Sequence, residues 1–78
     1  MAFQYSKQAS KFLDSQDDDT YKRIKLAVRK LPKGDVKKLQ GYKEKYRLRV
    51  GSFRVIFTRT GQNIFYIETI DNRGQVYK

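Results

Sequence analysis

Tyr46-Arg-Leu-Arg-Val-Gly-Ser-Phe-Arg-Val-Ile-Phe57 holds two five-residue runs around Gly51-Ser52, and its reading decides the fold. Apolar and arginine residues alternate with a period of two. Tyr46, Leu48 and Val50 therefore fall on one face of a strand, with Arg47 and Arg49 on the other. A two-residue loop with glycine first fits a type II′ turn, which pairs Val50 with Phe53 and sets Arg49 opposite Arg54. Like charges directly opposed cost an antiparallel pair roughly 0.2–1 kcal/mol. Stability alone thus gives no reason for three guanidinium groups on one face, whereas an external polyanion does.

Outward from the hairpin, the order of elements predicts an α+β domain. Ala2 to Tyr5 reads as a strand, and Ser6 is a good N-cap for a helix over roughly Lys7 to Ser15, with Ala9, Phe12 and Leu13 facing a core. Asp17-Asp18-Asp19 supplies a loop and a second N-cap, with negative charge suited to the helix dipole. The stripe Tyr21, Ile24, Ala27, Val28 and Leu31 defines that second helix, which Pro32 ends. Lys33 to Lys45, with two glycines and five lysines, reads as an irregular arm tacked down by Val36, Leu39 and Tyr42.

After the hairpin, Thr60-Gly61-Gln62-Asn63 is a turn and Ile64 to Asp71 a strand. Two registers compete for it. We favour the one with Glu68 opposite Arg54 and Ile67 opposite Val55, because the other buries a carboxylate. Asn72-Arg73-Gly74 is a turn or bulge before a short final strand, Gln75 to Lys78. The expected architecture is β-α-α-β-β-β with that short final strand, two N-terminal helices packing on a small curved antiparallel sheet. The first strand returns to this sheet as an edge or neighbour. Residues 1–78 form a single domain.

Composition narrows the chemistry. Eighteen Lys and Arg against eight Asp and Glu give a net charge of +10, and all but two of the cations follow residue 19. Such a domain suits a nucleic acid, an acidic protein or an anionic membrane surface. With no cysteine and no histidine, disulfides, thiolate zinc sites and the usual neutral-pH acid/base group are excluded. Glu44, Glu68 and Asp71 are too scattered to argue for a metal site or a carboxylate pair, and no phosphate-cradling glycine loop appears. No cofactor is expected. The absence of a long apolar run or a signal sequence points to the cytoplasm.

The basic residues divide by capability. Arg47, Arg49 and Arg54 share a hairpin face, and Arg73 and Tyr77 join them if the last strands return beside it. Arginine binds phosphate with planar, forked donors and stabilises a phosphorane-like transition state, but it cannot act as a base. Tyr77 can stack on a nucleobase or take a proton from a ribose hydroxyl. Lys37, Lys38, Lys43 and Lys45 are candidates for tracking a phosphate backbone. The plainer alternative for all of these is a solvated strand face with ordinary edge packing.

Lys37-Lys-Leu-Gln-Gly-Tyr-Lys-Glu-Lys-Tyr-Arg-Leu-Arg-Val-Gly-Ser-Phe-Arg-Val-Ile-Phe57 closely resembles the central signature of the RelE/ParE toxin superfamily of bacterial toxin-antitoxin modules. So do Tyr5-Ser-Lys-Gln-Ala-Ser-Lys-Phe-Leu13 and Asp71-Asn-Arg-Gly-Gln-Val-Tyr77. The resemblance implies two helices on a curved antiparallel sheet. It also implies a RelE-like mRNA interferase, a ribosome-dependent endoribonuclease cutting mRNA in the A site without a metal, by attack of the ribose 2′-hydroxyl on the adjacent phosphate. Its implied partners are a cognate antitoxin, the 70S ribosome and mRNA.

By position, the family's basic pair falls on Arg47 and Arg49, its second-strand arginine on Arg54, its C-terminal arginine on Arg73 and its terminal tyrosine on Tyr77. Of these the resemblance casts Arg49, Arg54, Arg73 and Tyr77 as catalytic and Arg47 as phosphate-binding. The best-known relatives carry lysines at the basic pair, and many have Gly-His-Arg where this chain has Asp71-Asn72-Arg73. Some also carry a final helix beyond the position of Lys78. A ParE-like, non-nucleolytic inhibitor of DNA gyrase and an inactive RNA-binding relative are the alternatives on the same scaffold.

Overall fold

A computed structural model describes residues 2–61 and 63–72. In chain order the elements are β1 (Ala2–Tyr5), α1 (Lys7–Asp14), α2 (Asp18–Arg29), β2 (Asp35–Lys38), β3 (Lys45–Val50), β4 (Phe53–Thr60) and β5 (Ile64–Asn72). The strands form one sheet in the order β1-β5-β4-β3-β2. Every pairing is antiparallel except that of β1, which lies parallel to β5 at one edge with Phe3 beside Phe65. The first strand thus returns as an edge, and the sheet is mixed rather than wholly antiparallel. The short final strand expected over 75–78 lies outside the described residues. Among the described residues no helix is long and apolar enough to cross a membrane.

Both helices begin where their capping residues dictate. The Ser6 hydroxyl accepts from the Ala9 amide at 3.0 Å, and an Asp17 carboxylate oxygen accepts from the Thr20 amide at 2.8 Å. Ala9 and Leu13 of α1, then Ile24, Val28 and, beyond the end of α2, Leu31, pack onto Leu48, Val50, Val55, Phe57, Phe65, Ile67 and Ile70 of the sheet. A fully buried side chain of this kind contributes about 1.5–3 kcal/mol relative to exposure. Tyr21, expected in the stripe, is displaced to its margin and is exposed, as is Leu26.

The hairpin has the expected register, with Val50 opposite Phe53 and Arg49 opposite Arg54. Gly51 has φ +59° and Ser52 is not in the positive region, which selects the type II′ turn over type I′.

Two segments depart from expectation. Within the supposed arm, Asp35–Lys38 is an edge strand whose Val36 sits opposite Leu48 on the core side. Its three charged residues hide the apolar alternation, as edge strands commonly do. Val36 and Leu39 are half-buried as expected, but Tyr42 is exposed. In β5 the register slips between Ile56 and Phe57, so Ile67 faces Phe57, Ile70 faces Val55, and Asp71 rather than Glu68 faces Arg54. The cause is a bulge at Glu68. Phe65 and Ile67 are two apart, but the next core residue, Ile70, is three further on. One extra residue therefore returns Ile70 to the buried side.

Candidate nucleic-acid interface

The helices cover only one face of the sheet, so period-two alternation leaves the residues of the other face on a shared outer surface. One row across four strands reads Asp35, Arg49, Arg54, Asp71. The next reads Lys37, Arg47, Ile56, Thr69, and a third runs Lys45, Thr58, Tyr66, Gln4. Along β3, Arg49, Arg47 and Lys45 are spaced by about 7 Å, two residues of extended chain.

Carboxylates interleave with these cations. Arg54 Nη2 donates to Asp71 Oδ2 at 3.1 Å, Arg47 Nη1 lies 3.8 Å from Asp35 Oδ1, and Lys45 Nζ lies 3.2 Å from Glu68 Oε1. The outer strands therefore supply a structural reason for the arginine pair, namely an acid on either side of it. That corrects the expectation that only an external anion accounts for the crowding.

The neutralisation is incomplete. Arg54 Nε and Asp71 Oδ1 are buried without hydrogen-bond partners, so the contact uses one bond where the guanidinium fork allows two. Arg47 Nη1 is also buried without a hydrogen-bond acceptor, since 3.8 Å is beyond bonding reach. Each such orphan costs about 1–3 kcal/mol while it lacks a partner. No carboxylate among the described residues lies within ion-pair distance of Arg49, which is exposed. Arg49 also borders a cleft of about 230 Å3 between α2 and β3, floored by Leu26, Ala27, Leu48 and Val50 and rimmed by Arg23 and Lys30.

The fold agrees closely with two solved toxin-antitoxin complexes. In the RelB-RelE complex of Methanococcus jannaschii the matched chain superposes with TM-score 0.75 at 27% identity, over 95% of this chain and 94% of that one. In the RelE-RelB complex of Pyrococcus horikoshii OT3 the values are 0.74 and 29%, over 95% and 96%. Over nearly its whole length the chain is thus similar to the RelE toxins of both complexes, which supports the RelE-like toxin resemblance. No protein-family model and no curated protein sequence matches it.

On this RelE-like scaffold the outer face gathers Arg47, Arg49, Arg54, Lys37 and Lys45. It does not gather Lys38, which falls on the same side as Val36 at the sheet margin. Lys43 lies exposed in the loop between β2 and β3. Arg73 and Tyr77 lie outside the described residues. Lys45 is not a free phosphate tracker, because Glu68 holds it and its ammonium stands 4.5 Å from the Tyr42 ring.

Sequence reading set Glu68 opposite Arg54, where Asp71 stands, and missed Asp35 and Asp71 as partners of the arginines. The bulge that shifts Glu68 was detectable in the broken spacing Phe65, Ile67, Ile70, whereas Asp35 had no signal once its segment was read as an arm. Nearby, Tyr46 donates to Glu44 at 2.9 Å, and that bond raises the phenol's pKa above its ordinary value by favouring the protonated form. Among the described residues no cluster of acidic side chains is placed to hold a metal ion.

Proposed function

We propose that this RelE-like toxin is a ribosome-dependent endoribonuclease that cleaves mRNA in the A site through attack of a 2′-hydroxyl on the adjacent phosphate. The observation that carries the reading is the outer-face cluster of Arg47, Arg49 and Arg54, in which Arg49 is exposed and lies within ion-pair distance of no carboxylate among the described residues. A phosphate oxygen is the acceptor that forked guanidinium donors fit best. Charge developing on the phosphoryl oxygens in the transition state strengthens those bonds, which is how binding becomes catalysis.

In this scheme Arg49 and Arg54 stabilise the transition state and Arg47 holds the scissile phosphate. Lys37 and Lys43 contribute attraction to the flanking strand. Arg73 serves near the leaving oxygen and Tyr77 orients the base. The chain acts in the cytoplasm with the 70S ribosome and mRNA. A cognate antitoxin restrains it, and the apolar cleft with its basic rim suits an acidic, partly apolar segment of that partner.

Primer extension on mRNA in programmed ribosomes tests the reading. Wild type is expected to give discrete A-site cuts, and Arg54→Ala to weaken them at least tenfold; identical patterns would remove Arg54 from the machinery. A ParE-like gyrase inhibitor remains the second reading, favoured by the interleaved carboxylates that offset much of the arginine charge. Loss of gyrase supercoiling on adding the purified toxin, with no mRNA cuts, would select it.

A further inference from the structure

A metal-free ribonuclease needs a group to receive the 2′-hydroxyl proton, and arginine cannot take it. The chain has no histidine. Four carboxylates follow α2, and their surroundings separate them. Asp71 is engaged in holding Arg54, Asp35 is 60% exposed at the sheet edge, and Glu44 accepts the Tyr46 hydroxyl in the loop before β3. Glu68 differs from all three.

The β5 bulge turns its side chain onto the outer face, where Glu68 Oε1 meets Lys45 Nζ at 3.2 Å and Oε2 accepts from the Thr58 hydroxyl. Its side chain is 26% exposed, so it is held yet reachable. Lys45 lies two residues from Arg47 on one strand face. A phosphate gripped by Arg47 would therefore have Arg49 and Arg54 to one side and Lys45 with Glu68 to the other, each about 7 Å away along the strand.

The bulge backbone is fixed from behind. Ser6 Oγ donates to the Glu68 carbonyl at 2.6 Å, and the Ser6 amide to the Ile67 carbonyl at 2.9 Å. The Gln8 side-chain amide clasps Ile70, donating to its carbonyl at 3.0 Å and accepting from its amide at 3.1 Å. A bulge secured at residues 67, 68 and 70 is a device for aiming one side chain.

We infer that Glu68 is the general base of this toxin, oriented by Lys45 and Thr58. The inference rests on the endoribonuclease reading above. In the step, the 2′-hydroxyl proton passes to the Glu68 carboxylate while the 2′-oxygen bonds to phosphorus. The phosphorus–5′-oxygen bond breaks, and the departing oxygen takes a proton from water. The products are a 2′,3′-cyclic phosphate and a 5′-hydroxyl end, and Glu68 returns its proton to the hydroxide left in solvent.

The charged and titratable groups facing Glu68 are Lys45 from β3 and Tyr66 on its own strand; Thr58 from β4 and Gln4 from β1 carry no charge. The test is single-turnover cleavage of mRNA in programmed ribosomes by the full chain across pH, with wild type, Glu68→Gln and Glu68→Asp, alongside toxin–ribosome binding. Glu68→Gln should lower the cleavage rate about 100-fold or more without weakening binding, and should abolish the fall in rate on the acidic side. Glu68→Asp, which keeps the carboxylate, should recover part of the rate and that acid limb.

Full activity and an unaltered pH profile in Glu68→Gln would overturn the inference while leaving the ribonuclease reading intact. Equal losses in both variants with no change of profile would make Glu68 structural, and would also overturn it. Failure of the wild type itself to cleave would remove the reading, and the inference with it.

Discussion

The two faces of the sheet are built on the same strands from adjacent residues, yet they solve opposite problems. On the inner face Leu48, Val55, Phe57, Phe65, Ile67 and Ile70 are almost fully removed from water beneath the helices. On the outer face Arg47, Arg54, Lys45 and Glu68 are only partly covered, and two guanidinium groups keep donors that nothing in the described chain satisfies. Stability therefore belongs to the inner face. The outer face contributes little to folding and retains binding capacity, a division expected where function draws on groups the fold leaves unsatisfied.

Truncation at the centre of the inner face tests that division most severely. Phe57 contacts Tyr46 by stacking at 5.4 Å and Phe65 edge-on at 5.8 Å, between ring centroids. Phe57→Ala should cost about 3–5 kcal/mol, a large share of the roughly 5–15 kcal/mol available to a small domain. Urea denaturation should show the midpoint collapsing. A loss below about 1 kcal/mol would mean that the core does not carry the fold.

A smaller effect is expected at Gly34, where β2 enters the sheet. Its φ is +116°, and a Cβ there would stand 3.2 Å from Leu48 Cδ1. Gly34→Ala should destabilise by about 1–3 kcal/mol from backbone strain and crowding together, again read from the urea midpoint. If β2 is only loosely seated, the change will be within error, and Asp35 will then not be held beside Arg47.

These residues also show where sequence reading succeeds and where it stops. The β3–β4 hairpin was legible to the residue because its alternation is strict and its turn is chemically explicit. The helices were legible from caps and spacing. β2 was not, since one apolar residue among charges carries no period. The β5 register was not, because a bulge is chosen by the pairing of two strands, and only the gap between Ile67 and Ile70 betrays it. The arginine cluster could therefore be found in one dimension, while the carboxylates that temper it required the sheet.

Freeing one outer-face cation should change binding more than stability. Asp71→Asn removes the charge facing Arg54, and a pair about one-third exposed on both sides contributes no more than about 1 kcal/mol to folding. Single-stranded RNA should bind more tightly, with the slope of log affinity against log salt steeper by about 0.7, as expected for one added phosphate contact. Fluorescence anisotropy across a salt series measures both quantities. An unchanged slope would show that Asp71 and RNA do not compete for Arg54.

The smallest expected effect lies off the sheet. Asp17 caps α2, and the hydrogen bonds it accepts from Thr20 hold its carboxyl pKa below the ordinary 3.8. Because the folded-state value is depressed, the capping contribution is complete above the unfolded-state value. It is lost as pH falls through the lower folded one. Asp17→Asn keeps an acceptor oxygen while removing the titration, so its melting temperature should fall less steeply than that of wild type below about pH 4. Thermal melts between about pH 2.5 and 6 make the comparison. If the two curves run parallel, the Asp17 cap does not set the acid sensitivity of the fold, and its hydrogen bonds to Thr20 contribute nothing measurable to stability.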